Sequence, residues 1–448
     1  MVRKRWYIFF GCSLFLSFFV QGQVMYDTLP RVQAHIAGNI VIDLNEQAIQ
    51  AELSISEIQE DLQNPEIVLN DILKVKALYH NGKKAKYSKT NKECKGCETY
   101  VFKNPIVAGD TLSIVYEGTL DAPKKDSENQ IALQENVLRA SSETRWLPSL
   151  FEGIYQKNTP FLQTQYSYDL NIECEDCGGL LLNSTYEKPQ IDPINFYSEE
   201  PVDQFTFLAG ELYRKSQEHA EYINFTEEQA VYTDSIVGSI FSFYESILGK
   251  PLDKKIFIAN CPSPATVKFN SYPVSIFTES DIADRIGSRS FRKTLSEHIA
   301  IYYFTEVYNP HNELYYFYAN SIPEYLSLKY INDNWYRKSY LKTARGQQAD
   351  FVDISTVERY DQLSGTFRNR ISPLTLVAIE KKVGEEKVYT ALKSIFSKGT
   401  ANPEARTNFR VFKNALLEAG VTNQEWLQIQ DQGIRNYTED FYSPVLKL

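Results

Sequence analysis

The spacing of apolar residues changes about halfway along the chain. From about residue 30 to 205, apolar and polar residues alternate in short runs separated by turn residues, as in the segments 35–44, 111–117 and 165–172. Alternation with period two places successive side chains on opposite faces of a strand, and the pair Asn81 and Gly82 is typical of a tight turn between strands. The first half of the chain is therefore predicted to be an antiparallel β-sandwich.

From about residue 225 onward the apolar period becomes that of a helix. Long helices are predicted over Glu227–Leu248 and 291–307, and two short strands are predicted between them at 256–259 and 274–277. Three further helices are predicted over the ranges 374–382, 385–396 and 408–419. Gly399 is expected to end the second of these three, because glycine commonly follows the last turn of a helix. This half is predicted to be mainly helical with a small sheet, so the fold class is α+β.

The first 22 residues have the organisation of a secretory signal peptide. A basic segment at 3–5 precedes a mostly apolar stretch at 6–20, and the polar segment 21–23 follows. This stretch is shorter than the roughly twenty apolar residues that a membrane-spanning helix needs. We therefore expect cleavage near Gln23, export to the periplasm, cell surface or medium, and no integral membrane segment in the mature chain.

The mature chain is expected to contain two domains and to carry an acidic charge. We divide it into a β-sandwich domain over 23–210 and a second domain over 211–448. The formal net charge is −10, and loss of the three leader cations at 3–5 makes it −13, which disfavours nucleic acid as a partner. The 30 Tyr and 26 Phe residues supply aromatic side chains for cores and for surfaces that contact peptides or proteins.

Two C-x-x-C pairs follow the leader, Cys94 with Cys97 and Cys174 with Cys177. Disulfides are the favoured interpretation, because an exported protein meets an oxidising compartment. The alternative is a structural zinc ion held by the four thiolates. Either arrangement is structural rather than catalytic. The single Cys261 is expected to be a buried packing residue.

Two segments of the second half carry a diagnostic spacing, Leu-Ser-Glu-His-Ile-Ala-Ile-Tyr-Tyr-Phe at 295–304 and Asn-Ser-Ile-Pro-Glu-Tyr-Leu at 320–326. They resemble the M1 family of zinc aminopeptidases, members of the gluzincin group. In that family a helix carries H-E-x-x-H and two aromatic residues, and a glutamate ligand follows after eighteen intervening residues in an E-G-x-x-E-Y pattern. Both segments fit this pattern in the same frame. The resemblance implies a β-sandwich domain followed by a thermolysin-like domain.

The frame fits, but the residues of the family's metal site are replaced. The resemblance puts Glu297, His298 and Ile301 on the H, E and H positions and Asn320 on the third ligand position. Two imidazoles at i and i+4 share a helix face and can bind one Zn²⁺ ion, whereas Ile301 has no lone pair to donate. His298 replaces the general base, and the family's transition-state tyrosine aligns with Asn369. The resemblance therefore predicts no metal at the family site, no other cofactor and no catalytic residues.

Other observations agree with the loss of the metal site. The family's G-x-M-E-N substrate loop would lie at 267–274, where this sequence does not match it. The five histidines of the mature chain include no pair spaced for helical metal binding, so each is expected to be a hydrogen-bonded structural residue. A simpler interpretation of the segment 295–304 is an apolar helix stripe that packs into a core, but that interpretation leaves the eighteen-residue spacing unexplained.

Three functional hypotheses follow. The leading one is an exported, catalytically inactive, peptidase-like protein that binds a peptide or protein partner. The first alternative is an active metallo-aminopeptidase or other hydrolase with a relocated site, which would use the ionisable groups of this region: Glu297, His298, Glu306, His311, Glu313 and Glu324. The second alternative is an assembly or scaffold component of the cell envelope.

Overall fold

The computed structural model describes residues 32–446 with thirteen internal gaps. The gaps are 91–95, 121–130, 153–163, 190–192, 203–204, 253–254, 263–269, 272–273, 279–281, 283–284, 306–319, 353–362 and 402–408. The predicted signal peptide, Cys94, Glu306, His311 and Glu313 lie outside the described residues.

Three sheets of seven, five and four strands form the first half of the described chain. Their strands are β1 Gln33–Asp43, β2 Ala48–Ser56, β3 Pro65–Asn70, β4 Leu73–His80, β5 Lys83–Lys84, β6 Tyr87–Thr90, β7 Cys97–Phe102, β8 Leu112–Thr119, β9 Ala132–Gln134, β10 Val137–Ser141, β11 Ser149–Glu152, β12 Gln165–Glu175, β13 Gly179–Leu182, β14 Thr185–Glu187, β15 Ile194–Val202 and β16 Thr206–Gly210. The largest sheet has the order β15-β12-β1-β2-β8-β4-β5. Strands β1 and β12 pair in parallel, and the other strand pairs described in this half are antiparallel.

The alternating sequence pattern accounts for this half of the fold. Along β2 the apolar residues Ile49, Leu53 and Ile55 are buried, and the polar residues between them face outward. Trp146 is fully buried and stacks on Phe207 with 4.8 Å between ring centroids. The predicted sandwich is confirmed as the architecture of this half, with the parallel pair β1 and β12 as a local departure from antiparallel pairing.

The second half contains a small sheet and a set of helices. The strands are β17 Arg214–Ser216, β18 Ala220–Ile223, β19 Ile256–Cys261, β20 Asn270–Ser271 and β21 Val274–Thr278, in the order β17-β18-β19-β21-β20. The helices are α1 Glu227–Leu248, α2 Arg289–Thr305, α3 Ile322–Ile331, α4 Asn334–Gly346, α5 Ser372–Val383, α6 Glu385–Ala401, α7 Phe409–Glu418, α8 Asn423–Ile429 and α9 Glu439–Tyr442. Among the described helices, none is both long and apolar enough to cross a membrane.

Local sequence signals set several helix boundaries. Helix α1 has the predicted bounds, because Thr226 and Gln229 form a capping box at its start and Gly249 adopts φ 74° at its end. The expectation that Gly399 ends a helix was wrong, since α6 continues to Ala401. A glycine within a helix costs only about 1 kcal/mol relative to alanine, so the packing of the rest of α6 can override it. The polar-rich helix α4 was not predicted.

A small apolar cluster joins the two halves. Val137 and Leu208 of the β half pack with Ile223, Phe257 and Ala259 of the small sheet, and all five are buried. This contact holds the strands β18 and β19 of the small sheet against the strands β10 and β16.

The cysteines of the described residues are mostly oxidised. Cys174 and Cys177 form a disulfide, and Cys97 is also disulfide-bonded. A disulfide sulfur is not a thiolate, so these sulfurs are not zinc ligands in this structure. Cys261 is a free, buried thiol at the domain contact, and burial raises its pKa to about 12.

Candidate functional site

Helices α2 and α3 pack against each other, and α2 carries Glu297, His298 and Ile301. Ser296 of α2 donates to Ser327 of α3 across 3.0 Å, and Ser327 Oγ donates to the Lys293 carbonyl oxygen, also across 3.0 Å. Pro323 lies in the first turn of α3, where its missing N–H leaves no helix hydrogen bond unmade. These contacts hold the two helices against each other.

A lysine ammonium lies between two carboxyl groups at this contact. Lys293 Nζ is 3.0 Å from Glu297 Oε2, one turn along α2, and 2.6 Å from Glu324 Oε2 on α3. The hydroxyl of Tyr340 on α4 donates to Glu324 Oε1. The side chains of Lys293, Glu297 and Glu324 are 11, 29 and 4 % exposed. We call these four residues, Lys293, Glu297, Glu324 and Tyr340, the ammonium cluster.

The charges of the ammonium cluster are strongly coupled. Burial and the neighbouring Glu297 carboxylate raise the pKa of Glu324 to about 8. Burial also opposes ionisation of Glu297, but the Lys293 ammonium and a hydrogen bond with Glu324 hold the pKa of Glu297 below its usual range. Burial disfavours the charged form of Lys293, and the two carboxyl groups overcome this and raise its pKa. Of the two carboxyl groups, Glu324 therefore holds its proton more strongly, and Glu297 is the one that ionises beside the ammonium.

The remaining predicted site residues do not complete a metal site. His298 is 5 % exposed, and its ring centroid is 5.5 Å from that of Phe277. Ile301 is partly buried one turn after Glu297, and Asn320 is partly buried just before the start of α3. Asn369 is exposed in the turn of π-helix before α5.

These residues do not fit a zinc ion. Zinc in proteins is held by converging nitrogen, sulfur or carboxylate oxygen donors. Glu297 could offer one oxygen, but the Lys293 ammonium already contacts it and Ile301 offers no donor. No group of three or more His, Cys, Asp or Glu residues in the described part of the chain could hold a metal ion. The ammonium cluster instead satisfies its own charges, as a structural ion pair does.

A second cluster lies on the neighbouring face of α3. Glu380 of α5 accepts from Tyr325 Oη at 2.6 Å and from Lys329 Nζ at 2.8 Å. Lys329 Nζ also lies 2.7 Å from Glu385, at the start of α6. We call Tyr325, Lys329, Glu380 and Glu385 the α5 cluster. It ties α3 to α5 and α6, just as the ammonium cluster ties α3 to α2 and α4.

Two members of the ammonium cluster were missed in the sequence. Lys293 precedes Glu297 by four residues on one helix, a spacing at which opposite charges pair, so this contact could have been recognised. Tyr340 comes from a helix that was not predicted, and nothing in the sequence around it indicates the contact with Glu324.

Comparisons with known proteins identify solved structures that share this fold. No protein-family model matches the chain, and no curated protein matches it. Solved structures do match: an M1 zinc metallopeptidase from Deinococcus radiodurans, in a mutant bound to a Tyr-Ser-Ala substrate, has a TM-score of 0.61 at 13% sequence identity. The match covers 90% of this chain and 94% of that one. Native yeast LTA4 hydrolase matches with a TM-score of 0.62 and 12% identity, over 92% of this chain and 68% of that chain.

The chain has an M1 peptidase-like fold. A second M1 zinc metallopeptidase structure from Deinococcus radiodurans gives a TM-score of 0.57 at 12% identity, over 91% of this chain and 94% of that chain. The predicted fold class, a β-sandwich domain followed by a mainly helical domain with a small sheet, is confirmed by these similarities. At 12 to 13% identity they establish the fold and leave the activity to the chemistry of the site.

Proposed function

We propose that this aminopeptidase-like chain is an exported protein that has no catalytic zinc and acts by binding a peptide or protein partner. The observation that carries the proposal is the Lys293 ammonium, which lies between Glu297 and Glu324. A tethered cation takes the charge-balancing role that a bound metal has in a zinc site. The fold around it resembles that of M1 zinc metallopeptidases, one of which is described as bound to a Tyr-Ser-Ala substrate, and this similarity supports a polypeptide ligand.

Electrostatic repulsion supports the loss of zinc. A zinc–oxygen bond is about 2 Å long, and the ammonium lies 3.0 Å from the Glu297 oxygen. A zinc ion on that oxygen would therefore lie within about 5 Å of Lys293 Nζ. At an effective dielectric constant of about 20, a dication and an ammonium at that distance repel by about 6 to 7 kcal/mol. Zinc binding by Glu297 would require Lys293 to leave its buried position.

Export is supported by two observations that do not depend on the site. The segment 1–22 has the composition of a cleavable leader. The Cys174–Cys177 disulfide is of a kind that persists in oxidising compartments. Amino-terminal sequencing of the protein recovered from the envelope or the medium should give a start near Gln23. A retained leader in a cytosolic protein would contradict this part of the proposal.

One observation favours a hydrolase with a relocated site as the second candidate. The pKa of Glu324 is raised to about 8 and that of Glu297 is lowered, and a pair of carboxyl groups with separated pKa values can serve as acid and base. Structural ion pairs separate pKa values in the same way. Glu324 is only 4 % exposed, and its two oxygens already bond Lys293 and Tyr340, so we rank this candidate second.

Two measurements on the purified protein test the proposal. Elemental analysis should give no stoichiometric zinc, and a mixed panel of aminoacyl substrates should give no hydrolysis that a chelator abolishes. Stoichiometric zinc with chelator-sensitive hydrolysis would overturn the proposal. Hydrolysis that survives the chelator and is lost in Glu297→Gln would favour the relocated site instead.

A further inference from the structure

A cleft of about 560 Å³ opens between the two halves of the molecule, apart from the ammonium cluster. It lies at the carboxyl ends of the parallel strands β18 and β19, where Phe225 and Asn260 contribute to its wall. The β half contributes Glu135, in the turn between β9 and β10. Clefts at domain contacts and at the carboxyl ends of parallel strands are common ligand sites.

The cleft carries negative charge without a matching cation. Glu135 and Glu211 both line it and are exposed, and neither forms an ion pair within the described part of the chain. Lys215 also lines the cleft, but its Nζ lies 3.4 Å from Glu227 Oε2, so the charge of this ammonium is paired with the Glu227 carboxylate. The cleft thus offers two carboxylates to a cationic ligand.

An exposed aromatic side chain, Tyr213, lines the same cleft as these carboxylates. The Tyr213 residue is 65 % exposed. Its backbone is held by Asn224: the Tyr213 N–H donates to Asn224 Oδ1 at 2.8 Å, and the Tyr213 carbonyl accepts from the Asn224 N–H at 2.9 Å. Phe225 is buried and lines the same cleft. An exposed aromatic face beside carboxylates is a suitable surface for a guanidinium group, which stacks on rings and pairs with carboxylates.

The wall of the cleft also holds an unused hydrogen-bond acceptor. Asn260 Nδ2 donates to the Asn224 carbonyl at 3.2 Å, which orients the amide. Asn260 Oδ1 is buried and has no hydrogen-bond partner among the described residues. A buried acceptor without a donor destabilises the free protein, and an N–H donor from a ligand would satisfy it.

We propose that this cleft binds an arginine side chain of a basic peptide. Glu135 and Glu211 supply the counter-charges, Tyr213 supplies the stacking face, and Asn260 Oδ1 supplies an acceptor at the wall. Arginine fits better than lysine, because its planar guanidinium has five donors and stacks on aromatic rings, whereas the lysine ammonium is a strongly hydrated point charge. The proposal does not depend on the fate of the zinc site, because none of the residues that line the cleft belongs to the ammonium cluster.

Three matched peptides test the ligand class. Acetyl-Ala-Arg-Ala-amide should bind, as measured by isothermal titration calorimetry. The counterparts with Gln or Glu in the middle should bind at least about tenfold more weakly. Added salt should weaken binding of the Arg peptide, because the carboxylates are exposed. Equal binding of the Arg and Gln peptides, tighter binding of the Glu peptide, or no binding of any of them at millimolar concentration would overturn the proposal.

Variants of the cleft test its residues. Glu135→Gln and Glu211→Gln should each weaken binding of the Arg peptide by up to about fivefold, and Tyr213→Ala should weaken it by a similar factor, about fivefold. Glu245→Gln is the matched control, because Glu245 is an exposed carboxylate on α1 that does not line the cleft. Unchanged binding in all three cleft variants, or equal loss in the control, would contradict the assignment. Thermal unfolding of each variant establishes that it is folded.

Discussion

The two clusters on α3 are built from the same parts and differ in burial. In each, a lysine bridges two glutamates and a tyrosine hydroxyl donates to one of them. In the α5 cluster the second carboxylate, Glu385, is 53 % exposed, so water solvates part of its charge. In the ammonium cluster the second carboxylate, Glu297, is 29 % exposed and hydrogen-bonds with Glu324.

This difference in burial changes how the carboxyl groups of the two clusters ionise. Two carboxyl groups that meet in a poorly solvated site cannot both ionise beside a single ammonium, so one of them keeps its proton. The pKa of Glu324 is accordingly raised, whereas that of Glu385 is lowered by its hydrogen bonds to Lys329 and Tyr389. The α5 cluster is therefore the natural control for experiments on the ammonium cluster.

The largest expected effect is a gain of zinc when the family's ligands are restored. The combination Glu297→His, Ile301→His and Asn320→Glu, together with Lys293→Ala, supplies three donors and removes the competing cation. We expect stoichiometric zinc by elemental analysis after dialysis against a weak chelator. This result would place residues 297, 301 and 320 within reach of one ion.

The matched control keeps Lys293 with the same three restored ligands. We expect at least about a hundredfold weaker zinc binding than in the combination with Lys293→Ala, because the ammonium repels the dication. Adding Lys329→Ala instead of Lys293→Ala should leave zinc binding weak. Equal affinities with and without Lys293 would show that the lysine moves aside at little cost and that the proposed repulsion is wrong.

The fold of this chain could be predicted from its sequence more fully than the candidate site. A strand that is buried on one face alternates apolar and polar residues, so strands such as β2 can be predicted from the sequence. The capping box at Thr226 likewise marks the start of α1 from local residues alone. Helix α4 was missed because it buries few residues: Arg337, Tyr340, Leu341 and Ala344.

The contacts between helices in the ammonium cluster could not be predicted from the sequence, for a physical reason. Its contacts join three helices, and the pairs Lys293 with Glu324 and Glu324 with Tyr340 depend on how those helices pack. The H-E-x-x-H spacing located Glu297 on the correct helix, and the four-residue spacing could have indicated Lys293, but neither could show that Glu324 shares the ammonium. That Asn369 is exposed likewise follows from packing, and no counting along the chain could reveal it.

The next largest effect is the loss of stability on removing each lysine. Lys293→Met should lower the free energy of unfolding by about 3 to 5 kcal/mol, because it leaves a poorly solvated carboxylate without its partner. Lys329→Met should cost roughly half as much, since Glu385 is largely solvated and Tyr325 still donates to Glu380. Urea unfolding at pH 7 measures both. Adding Glu297→Gln to Lys293→Met should recover part of the loss, and an equal cost for the two lysines would remove the distinction between the clusters.

The pH dependence of stability should reveal the proton on Glu324. Its folded pKa, about 8, lies above the ordinary value of 4.5, so its contribution to stability is fully present below about pH 4.5 and is lost as the pH rises through about 8. Between these limits the wild type should lose up to about 1.4 kcal/mol per pH unit relative to Glu324→Gln. Urea unfolding of both proteins at several pH values gives this slope.

Glu385→Gln provides a control of opposite sign. The pKa of Glu385 is lowered by its hydrogen bonds to Lys329 and Tyr389, so its contribution is present above its ordinary pKa and is lost as the pH falls through the lowered value. The wild type should therefore lose stability relative to Glu385→Gln on acidification and not between pH 5 and 8. A flat difference between the wild type and Glu324→Gln over that range would mean that Glu324 is ionised in the folded protein.

The smallest expected effect separates the two tyrosine hydroxyls. Tyr340→Phe removes the donor to Glu324 Oε1, and at pH 7 it should cost about 1 kcal/mol, since the acceptor belongs to a protonated carboxyl group. Above about pH 8 Glu324 ionises, the hydrogen bond becomes charge-assisted, and the cost of Tyr340→Phe should rise to about 2 kcal/mol. Tyr325→Phe, which removes the donor to Glu380, should show no increase that follows the titration of Glu324. A cost of Tyr340→Phe that stays constant from pH 6 to 9 would argue against a change of charge at Glu324, because the strength of this hydrogen bond depends directly on that charge.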